Sequence, residues 1–270
     1  MPKITVYIVT KNRIDQLKEA IQSVEGQSYR DFELIVVDDG STDATAEYLQ
    51  NYRSTTPFRW NRNEISLGAP AARNTAIDMA EGEFITGLDD DDRFHPDRLT
   101  HFIRQWNPEA QILTSDDVFV RANGSRVRWR KKEIITLNDI LFKNHIGNQV
   151  FTRTEFLRQL GGFDQSLTSA QDYDLWIRLV AAHGLAKSIQ LPLQEISISN
   201  GGNRISNDNR RWIGYYNCYV KHKRRMDAQH RKFQLHTIRQ AQKKQTISSV
   251  IFWVPPRFWL KEIAKQIHKT

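Results

Sequence analysis

Along the first hundred positions, continuous apolar runs take turns with segments whose apolar residues recur at helical spacing. Residues 4–10, ITVYIVT, form an uninterrupted, β-branched apolar run of the kind that fills a strand buried on both faces. Directly after it, Ile14, Leu17, Ile21 and Val24 recur at spacings of three and four, which gathers them on one side of a helix. FELIVVDDGSTD (32–43) repeats the buried-strand pattern and ends in an acidic, turn-rich loop. TDATAEYLQNY then starts a second helix, with Thr42 or Asp43 as its N-cap. APAARNTAIDMAEG predicts a third helix stopped by Gly82, and EFITGLDD a further strand. The alternation predicts an α/β fold whose mainly parallel central sheet carries helices on both faces. Ligands of such sheets bind beyond the carboxyl ends of the strands, where the acidic loops 38–43 and 89–92 are expected to meet. After residue 100 the pattern loosens. QILTSDDVFV and RVRWRKK read as strands, and SAQDYDLWIRLVAAHG as a helix ended by Gly184 with Trp176 on its buried face.

The 270 residues suffice for one large α/β domain or for a domain with an appendage. The formal net charge of +8 is unevenly spread: residues 203–270 hold 16 Lys/Arg against 3 Asp/Glu, so an acidic body carries a basic tail. Cys218 is the one cysteine, which excludes an intrachain disulfide and a Cys-based zinc site and fits a reducing compartment. MPKITVYIVTKNR does not read as a secretory leader, and no run of 18 apolar residues offers an obvious transmembrane helix.

ITGLDDDDRFHPDRL (85–99) sets Asp89, Asp90, Asp91 and Asp92 in a row, and their mutual repulsion must be offset by a cation or by solvent. A solvated acidic turn is the plain reading of such a run. Its place favours a cation instead: it follows a buried-type strand, sits at the ligand-binding end, and is closed by HPDRL, where Pro96 suits a helix's first turn. Several hard oxygens on a short loop suit Mg²⁺ or Mn²⁺, whereas the spaced ligands of a twelve-residue calcium loop are absent.

Four segments, VDDGSTD, SLGAPAARNTAI, GEFITGLDDDD and GGFDQSLTSAQDYDLWIRL, occur in that order. Together they resemble the inverting GT-A glycosyltransferases of the family numbered two, over about residues 3–205. The resemblance implies a GT-A nucleotide-sugar-binding domain in 1–205, with a nucleotide-binding half (1–100) and an acceptor-binding half (101–205). A basic, aromatic, helical region (206–270) follows. By the same resemblance Asp39 accepts the N3–H of a uracil ring, with Thr10 and Arg13 lining the nucleotide pocket. Arg73 reaches the base or diphosphate, and Gly68 lets the backbone approach it. Asp91 binds the metal most directly, while Asp89 or Asp90 contacts the ribose or the metal's waters. Asp172 occupies the position of the general base, which takes a proton from an acceptor hydroxyl. His145 and Asn148 fall where the family lines the acceptor pocket. Each also has a plain alternative: a turn role for Asp38 and Asp39, a surface ion pair for Arg73, stabilisation of a helix N-terminus for Asp172, a hydrogen-bonded structural role for His145.

The chain departs from the family pattern at two places. Gln171 stands where a Glu usually precedes the base, and ISISNGGNRIS offers Asn200, Asn203 and Arg204 where a histidine often completes the metal or diphosphate shell. Arg204 is the candidate for the diphosphate there.

In the tail, Trp259, Ile263 and Ile267 recur at four-residue spacing with Lys261, Lys265 and Lys269 elsewhere around the helix. Such a helix can lie on an anionic membrane, or it can dock on the body or a second subunit. KHKRR (221–225) fits no recognised nucleic-acid motif, and none is expected to bind. The expected function is transfer of a hexose or N-acetylhexosamine from a UDP-sugar to a glycan hydroxyl. The expected acceptor is lipid-linked and used in surface-polysaccharide synthesis, and the expected location is cytoplasmic, at the inner face of the cell membrane. The other class open at this point is a non-catalytic nucleotide-sugar or glycan-binding protein anchored by its tail. A sugar nucleotidyltransferase would want a Gly-rich triphosphate loop that VTKNRID lacks.

Overall fold

A computed structural model of the chain describes residues 3–198, 210–243, 250, 252–260 and 262–263. The elements run β1 (Ile4–Thr10), α1 (Ile14–Glu25), β2 (Phe32–Asp38), α2 (Thr45–Asn51), β3 (Phe58–Arg62), α3 (Ala69–Met79) and β4 (Phe84–Asp89). After these come β5 (Asp92–Phe94), α4 (Arg98–Gln105), β6 (Ile112–Arg121), β7 (Arg126–Trp129), β8 (Ile134–Ile135) and α5 (Leu137–Phe142). The chain continues through β9 (Phe151–Arg153), α6 (Thr154–Gln159), α7 (Gln171–His183), β10 (Ala186–Ile198), α8 (Arg211–His222) and α9 (Ala228–Ala241).

The strands of the described residues join one sheet of order β3-β2-β1-β4-β9-β6-β10-β5, with β7 on β6 and β8 on β10. The long ladders, β1 with β2 and β4, β2 with β3, and β6 with β10, are parallel; short antiparallel pairings tie in β5, β7, β8 and β9. The architecture is thus the mixed α/β one, with a mostly parallel centre. Because successive strand residues face opposite ways, Ile4, Val6, Ile8, Leu34 and Val36 pack with Leu17, Ile21 and Val24 of α1 and with Leu99 and Phe102 of α4. Tyr7, Ile35 and Val37 pack on the other face with Ala72, Ala76 and Ile77 of α3 and with α5 and α7.

The register brings the acidic loops together. Thr10 pairs with Asp38, and Val9 with Asp89, so the carboxyl ends of β1, β2 and β4 finish level with one another. Three local expectations shift. Neither Thr42 nor Asp43 is the N-cap of α2, which starts at Thr45 after Ala44; Asp43 instead accepts from the Thr45 and Ile14 N–H groups. α3 ends at Met79, before Gly82, whose missing side chain answers a close approach: a Cβ there would lie 2.6 Å from Ile4 C. Pro96 precedes α4 by two residues instead of opening it.

The C-terminal region docks on the body. Phe142, Phe233, Val250 and Val254 form a small core against which Phe258, Trp259 and Ile263 pack, and Trp259 Nε1 donates to Val254 O at 2.6 Å. Two of the three residues of the proposed membrane-facing stripe therefore cover protein; Ile267, Lys261, Lys265 and Lys269 lie outside the described residues. Phe252 and Leu260, 66% and 89% exposed, are the most exposed large apolar side chains among the described residues of this region.

Candidate active site

The four consecutive aspartates are held in four different ways. Asp90 is buried and bridges strand ends: Thr10 Oγ1 donates to its Oδ2 at 2.8 Å and Arg13 to its Oδ1 at 2.9 Å. Thr10 and Arg13 thus meet the acidic loop directly. Burial outweighs this help from Arg13 and Thr10 and pushes the Asp90 carboxyl up to about 6. Asp92 is also buried, accepting from Asn148 Nδ2 at 2.9 Å, Gln194 Nε2 at 3.3 Å and Ser197 N at 3.1 Å. Asp89 accepts from Arg73 at 3.0 Å, Gln149 Nε2 at 3.1 Å and Asn148 Nδ2 at 3.0 Å. Asp91 faces Arg13 at 3.6 Å. Of the four side chains, Asp89 (30% exposed) and Asp91 (16%) open to solvent, and Asp90 and Asp92 do not. Two accessible carboxylates backed by two buried, hydrogen-bonded ones are an all-oxygen donor set that fits a small hard divalent cation, which takes one or two carboxylates and keeps other positions for water and phosphate.

Asp39 lies across the same edge. Its Oδ1 accepts from Asn63 Nδ2 at 2.8 Å and Leu67 N at 2.9 Å, and its Oδ2 from Ser66 Oγ at 2.6 Å and Gly68 N at 2.9 Å. Burial opposes ionisation, but these four donors outweigh it and hold the carboxyl below its ordinary range. A carboxylate offers about four acceptor positions, and the 63–68 loop occupies that number. Gly68 contributes its N–H from a positive φ of 90°, while its absent Cβ would meet only Pro70 Cδ at 3.8 Å, so backbone conformation, not crowding, demands glycine there. Asp38 serves the turn, accepting from Ser41 N at 2.9 Å.

Asp172 enters from α7, at the first turn, where the helix N-terminus favours negative charge. Its Oδ2 accepts from Asn144 Nδ2 at 3.1 Å. Burial raises its carboxyl to about 6 and Asp89 adds to the rise, while Arg73 and the Tyr173 N–H work against it. Arg73 and Asp89 are therefore close enough to act on it. Tyr7 completes the group; burial raises its hydroxyl, and Arg73, Asp89 and Asp172 all act upon it.

One loop joins Asp172 to the aspartates. In KNHIGNQV, Asn144 holds Asp172, Asn148 holds Asp89 and Asp92, and Gln149 holds Asp89. Gly147, at φ 99°, makes the turn, and its carbonyl accepts from Asn144 and from Trp176 Nε1 at 3.0 Å. Arg178 and Asp174 pair at 2.7 Å, as their spacing on α7 suggests. His145 is half-buried in the same loop. Arg204, Asn200 and Asn203 lie outside the described residues. Gln171 is buried and donates to Leu167 O at 3.2 Å, so it serves the turn into α7.

Sequence reasoning missed Tyr7, Asn144, Gln149 and Gln194. Tyr7 carried a faint signal, a phenol in a strand otherwise built of Ile, Val and Thr, and Gly87 beside it another. A Cβ at Gly87 would sit 2.5 Å from Tyr7 Cζ and overlap Gln149 Oε1. Asn144 and Gln149 flank residues already singled out; only the fold reveals which carboxylates they reach.

Comparison with known proteins agrees with this architecture. WcaA of Escherichia coli (strain K12), provisionally named as a colanic acid biosynthesis glycosyl transferase, is 35% identical over 252 residues, spanning 90% of this chain and 89% of its own. An uncharacterized glycosyltransferase of Methanocaldococcus jannaschii is 31% identical over 215 residues, 76% of this chain and 74% of its own. Among solved structures, Staphylococcus aureus TarS 1–349 in complex with UDP-GlcNAc superposes with a TM-score of 0.68 at 21% identity, covering 95% of this chain and 77% of that one. The mannosyltransferase PcManGT of Pyrobaculum calidifontis, in complex with GDP-Man and Mn²⁺, gives 0.67 at 18%, covering 99% and 80%. At those identities the structures establish the fold. Residues 5–166 match the family described as Glycosyl transferase family 2, and with that match and the 35% identity to WcaA, this chain belongs to glycosyltransferase family 2.

Proposed function

We propose that this glycosyltransferase transfers a hexose or N-acetylhexosamine from a UDP-sugar, with inversion, to a hydroxyl of a lipid-linked glycan in polysaccharide biosynthesis. The observation that carries the reading is Asp172: a half-buried carboxyl raised to about 6, tied through one loop to the aspartates at the strand ends. A base poised there takes up a proton more readily than an ordinary aspartate and is still ionised at neutral pH. In the proposed step Asp172 removes the acceptor hydroxyl's proton late, as the oxygen attacks the anomeric carbon on the face opposite the departing UDP. A single displacement inverts the configuration.

Asp91, with Asp89 beside it, would hold Mg²⁺ or Mn²⁺. When bound, that ion neutralises negative charge on the diphosphate. Arg73 supplies a fixed positive fork between Asp89 and Asp172. In this reading Asp39 meets the uracil N3–H by sharing an acceptor position now used by the 63–68 loop, with Thr10 and Arg13 nearby through Asp90. Residues 1–100 would form the nucleotide half, and 101–205 the acceptor half, with His145, Asn148 and Arg204 toward the acceptor or diphosphate.

The lipid-linked acceptor rests on a relative. A Campylobacter jejuni protein named GalNAc(5)-diNAcBac-PP-undecaprenol beta-1,3-glucosyltransferase is 36% identical over 110 residues, 40% of this chain and 35% of its own. No helix among the described residues is long and apolar enough to cross a membrane. Residues 206–270 would instead bring the enzyme to the inner membrane surface through their basic charge and the exposed Phe252 and Leu260. The buried, turn-serving role of Gln171 removes a main support for a non-catalytic glycan-binding protein.

The test is a panel of UDP- and GDP-sugars titrated with and without Mn²⁺, followed by UDP release. Mn²⁺-dependent turnover of a UDP-sugar, abolished by Asp91→Ala, is expected. Binding across the panel without turnover by the unaltered chain would refute the enzymatic reading.

A further inference from the structure

The residue before α7, Ala170, has a left-handed backbone, φ 59°. For a residue with a side chain that conformation costs about 1–2 kcal/mol, so its surroundings must enforce it. The segment packed against it is α8. Gly214 approaches the turn so closely that a Cβ there would overlap Ser169 Oγ and O and stand 2.6 Å from Ser169 N. Ser169 Oγ in turn donates to Arg211 O at 2.6 Å.

The same helix grips α7 just beyond the base. Asp174, fully buried, receives His222 Nε2 at 2.8 Å and Lys221 Nζ at 3.0 Å from α8, and Arg178 at 2.7 Å from its own helix. Between them, the Tyr173 hydroxyl donates to Ile140 O at 2.7 Å and accepts from Gln234 Nε2 of α9 at 2.6 Å. Asp172 is thus flanked on both sides of the chain by residues that α8 or α9 holds. Asp174, Cys218 and His222 lie within metal-ligand reach of one another, but a cation there would meet both Lys221 and Arg178. The group is an ion-pair clamp.

We propose that α8 is a positioning element of the active site, in which Gly214 locks the Ser169–Ala170 turn and closes the protein over the Asp172 side of the cleft. The proposal rests on the reading of Asp172 as the base. Tyr215, the neighbour of Gly214, stands near enough that Asp172, after burial, raises its hydroxyl, and Asp172 likewise acts on Cys218. Among the described residues, the charged and titratable groups acting on or near Asp172 are Arg73 of α3, Asp89 of β4, Tyr7 of β1, and Tyr215 and Cys218 of α8, with Asn144 Nδ2 and the Tyr173 N–H as hydrogen-bond donors to it. A role in the reaction for residues after 205 extends the site beyond the family-matched segment, 5–166.

The test introduces Gly214→Ala and Ser169→Ala into the full chain, each with and without Asp172→Asn, and follows urea unfolding from pH 4 to 8. The stability gap between the aspartate and asparagine forms grows with pH and stops growing where Asp172 ionises in the folded state. That point is expected at about 6 without other substitutions. With α8 pushed off the turn by Gly214→Ala it should fall by about one pH unit or more, and the acid limb of UDP-sugar turnover should move with it. Ser169→Ala, which removes one hydrogen bond and adds no bulk, should move it the same way by less, and decides the matter if Gly214→Ala does not fold. An unmoved break point in the folded variants overturns the role of α8. Absence of any gap in the otherwise unaltered chain would instead defeat the buried-base reading beneath it.

Discussion

Replacing Asp172 by Asn should make the protein more stable while disabling it. The folded-state carboxyl stands at about 6 against an ordinary value of 3.8, chiefly because burial penalises its charge. A difference of roughly two pH units at about 1.36 kcal/mol each means that ionised Asp172 costs the fold about 3 kcal/mol. The sign follows from proton binding. Between pH 3.8 and about 6 the folded chain keeps a proton that the unfolded chain has lost, so stability falls as pH rises through that window and levels off above it. Asparagine is nearly isosteric, carries no charge, and its carbonyl oxygen can still accept from Asn144 Nδ2. Urea unfolding of both proteins should therefore give equal stabilities near pH 3.5 and an advantage for Asp172→Asn approaching 3 kcal/mol at pH 8. A variant that is equal or weaker at pH 8 would show that the site does not penalise the charge, and would remove the physical basis for a tuned base.

Other perturbations separate the remaining parts. Asp39→Asn leaves two of the four donors from Asn63, Ser66, Leu67 and Gly68 facing an amide NH₂; melting should show a loss of about 1–3 kcal/mol, and calorimetry weaker UDP binding. Asp91→Ala should remove the Mn²⁺ dependence of UDP binding while urea unfolding still shows a cooperative, folded chain. Gly87→Ala drives a methyl group into Tyr7 and Gln149; a loss of about 1–3 kcal/mol should come with reduced turnover, as Gln149 leaves Asp89. For the tail, sedimentation with vesicles containing anionic phosphatidylglycerol should retain the unaltered chain, and replacing the exposed Phe252 and Leu260 by Ser should weaken that retention.

The parts of the molecule legible in the sequence were those fixed by local pattern. ITVYIVT and FELIVVD read as buried strands because apolar residues fill most of both faces, with Thr5 and Glu33 as a hydrogen-bonded exception, and once β2 and β4 flank β1 in parallel the acidic loops that follow them must come together. The Asp-rich run and Asp172 stood out because four motifs kept a familiar order. What stayed hidden depends on contacts across long stretches of chain. Nothing near Asn144 in sequence announces a bond to Asp172, and Gly82 looks like a helix stop until the backbone of Ile4 and Thr5 is seen against it. The docking of the tail was hidden for a related reason. Trp259 and Ile263 have the spacing of a membrane-lying helix, but Phe142 and Phe233 supply an apolar surface that periodicity does not reveal.

The most direct measurement is UDP release from the preferred UDP-sugar, with Mn²⁺ and acceptor, compared between the unaltered chain and Asp172→Asn, alongside each protein's affinity for UDP. Turnover lower by about 10²- to 10⁴-fold with UDP affinity retained is expected of a lost general base. Turnover within a few-fold of the unaltered enzyme would contradict the assignment of Asp172 and, with it, the chemistry built around this cleft.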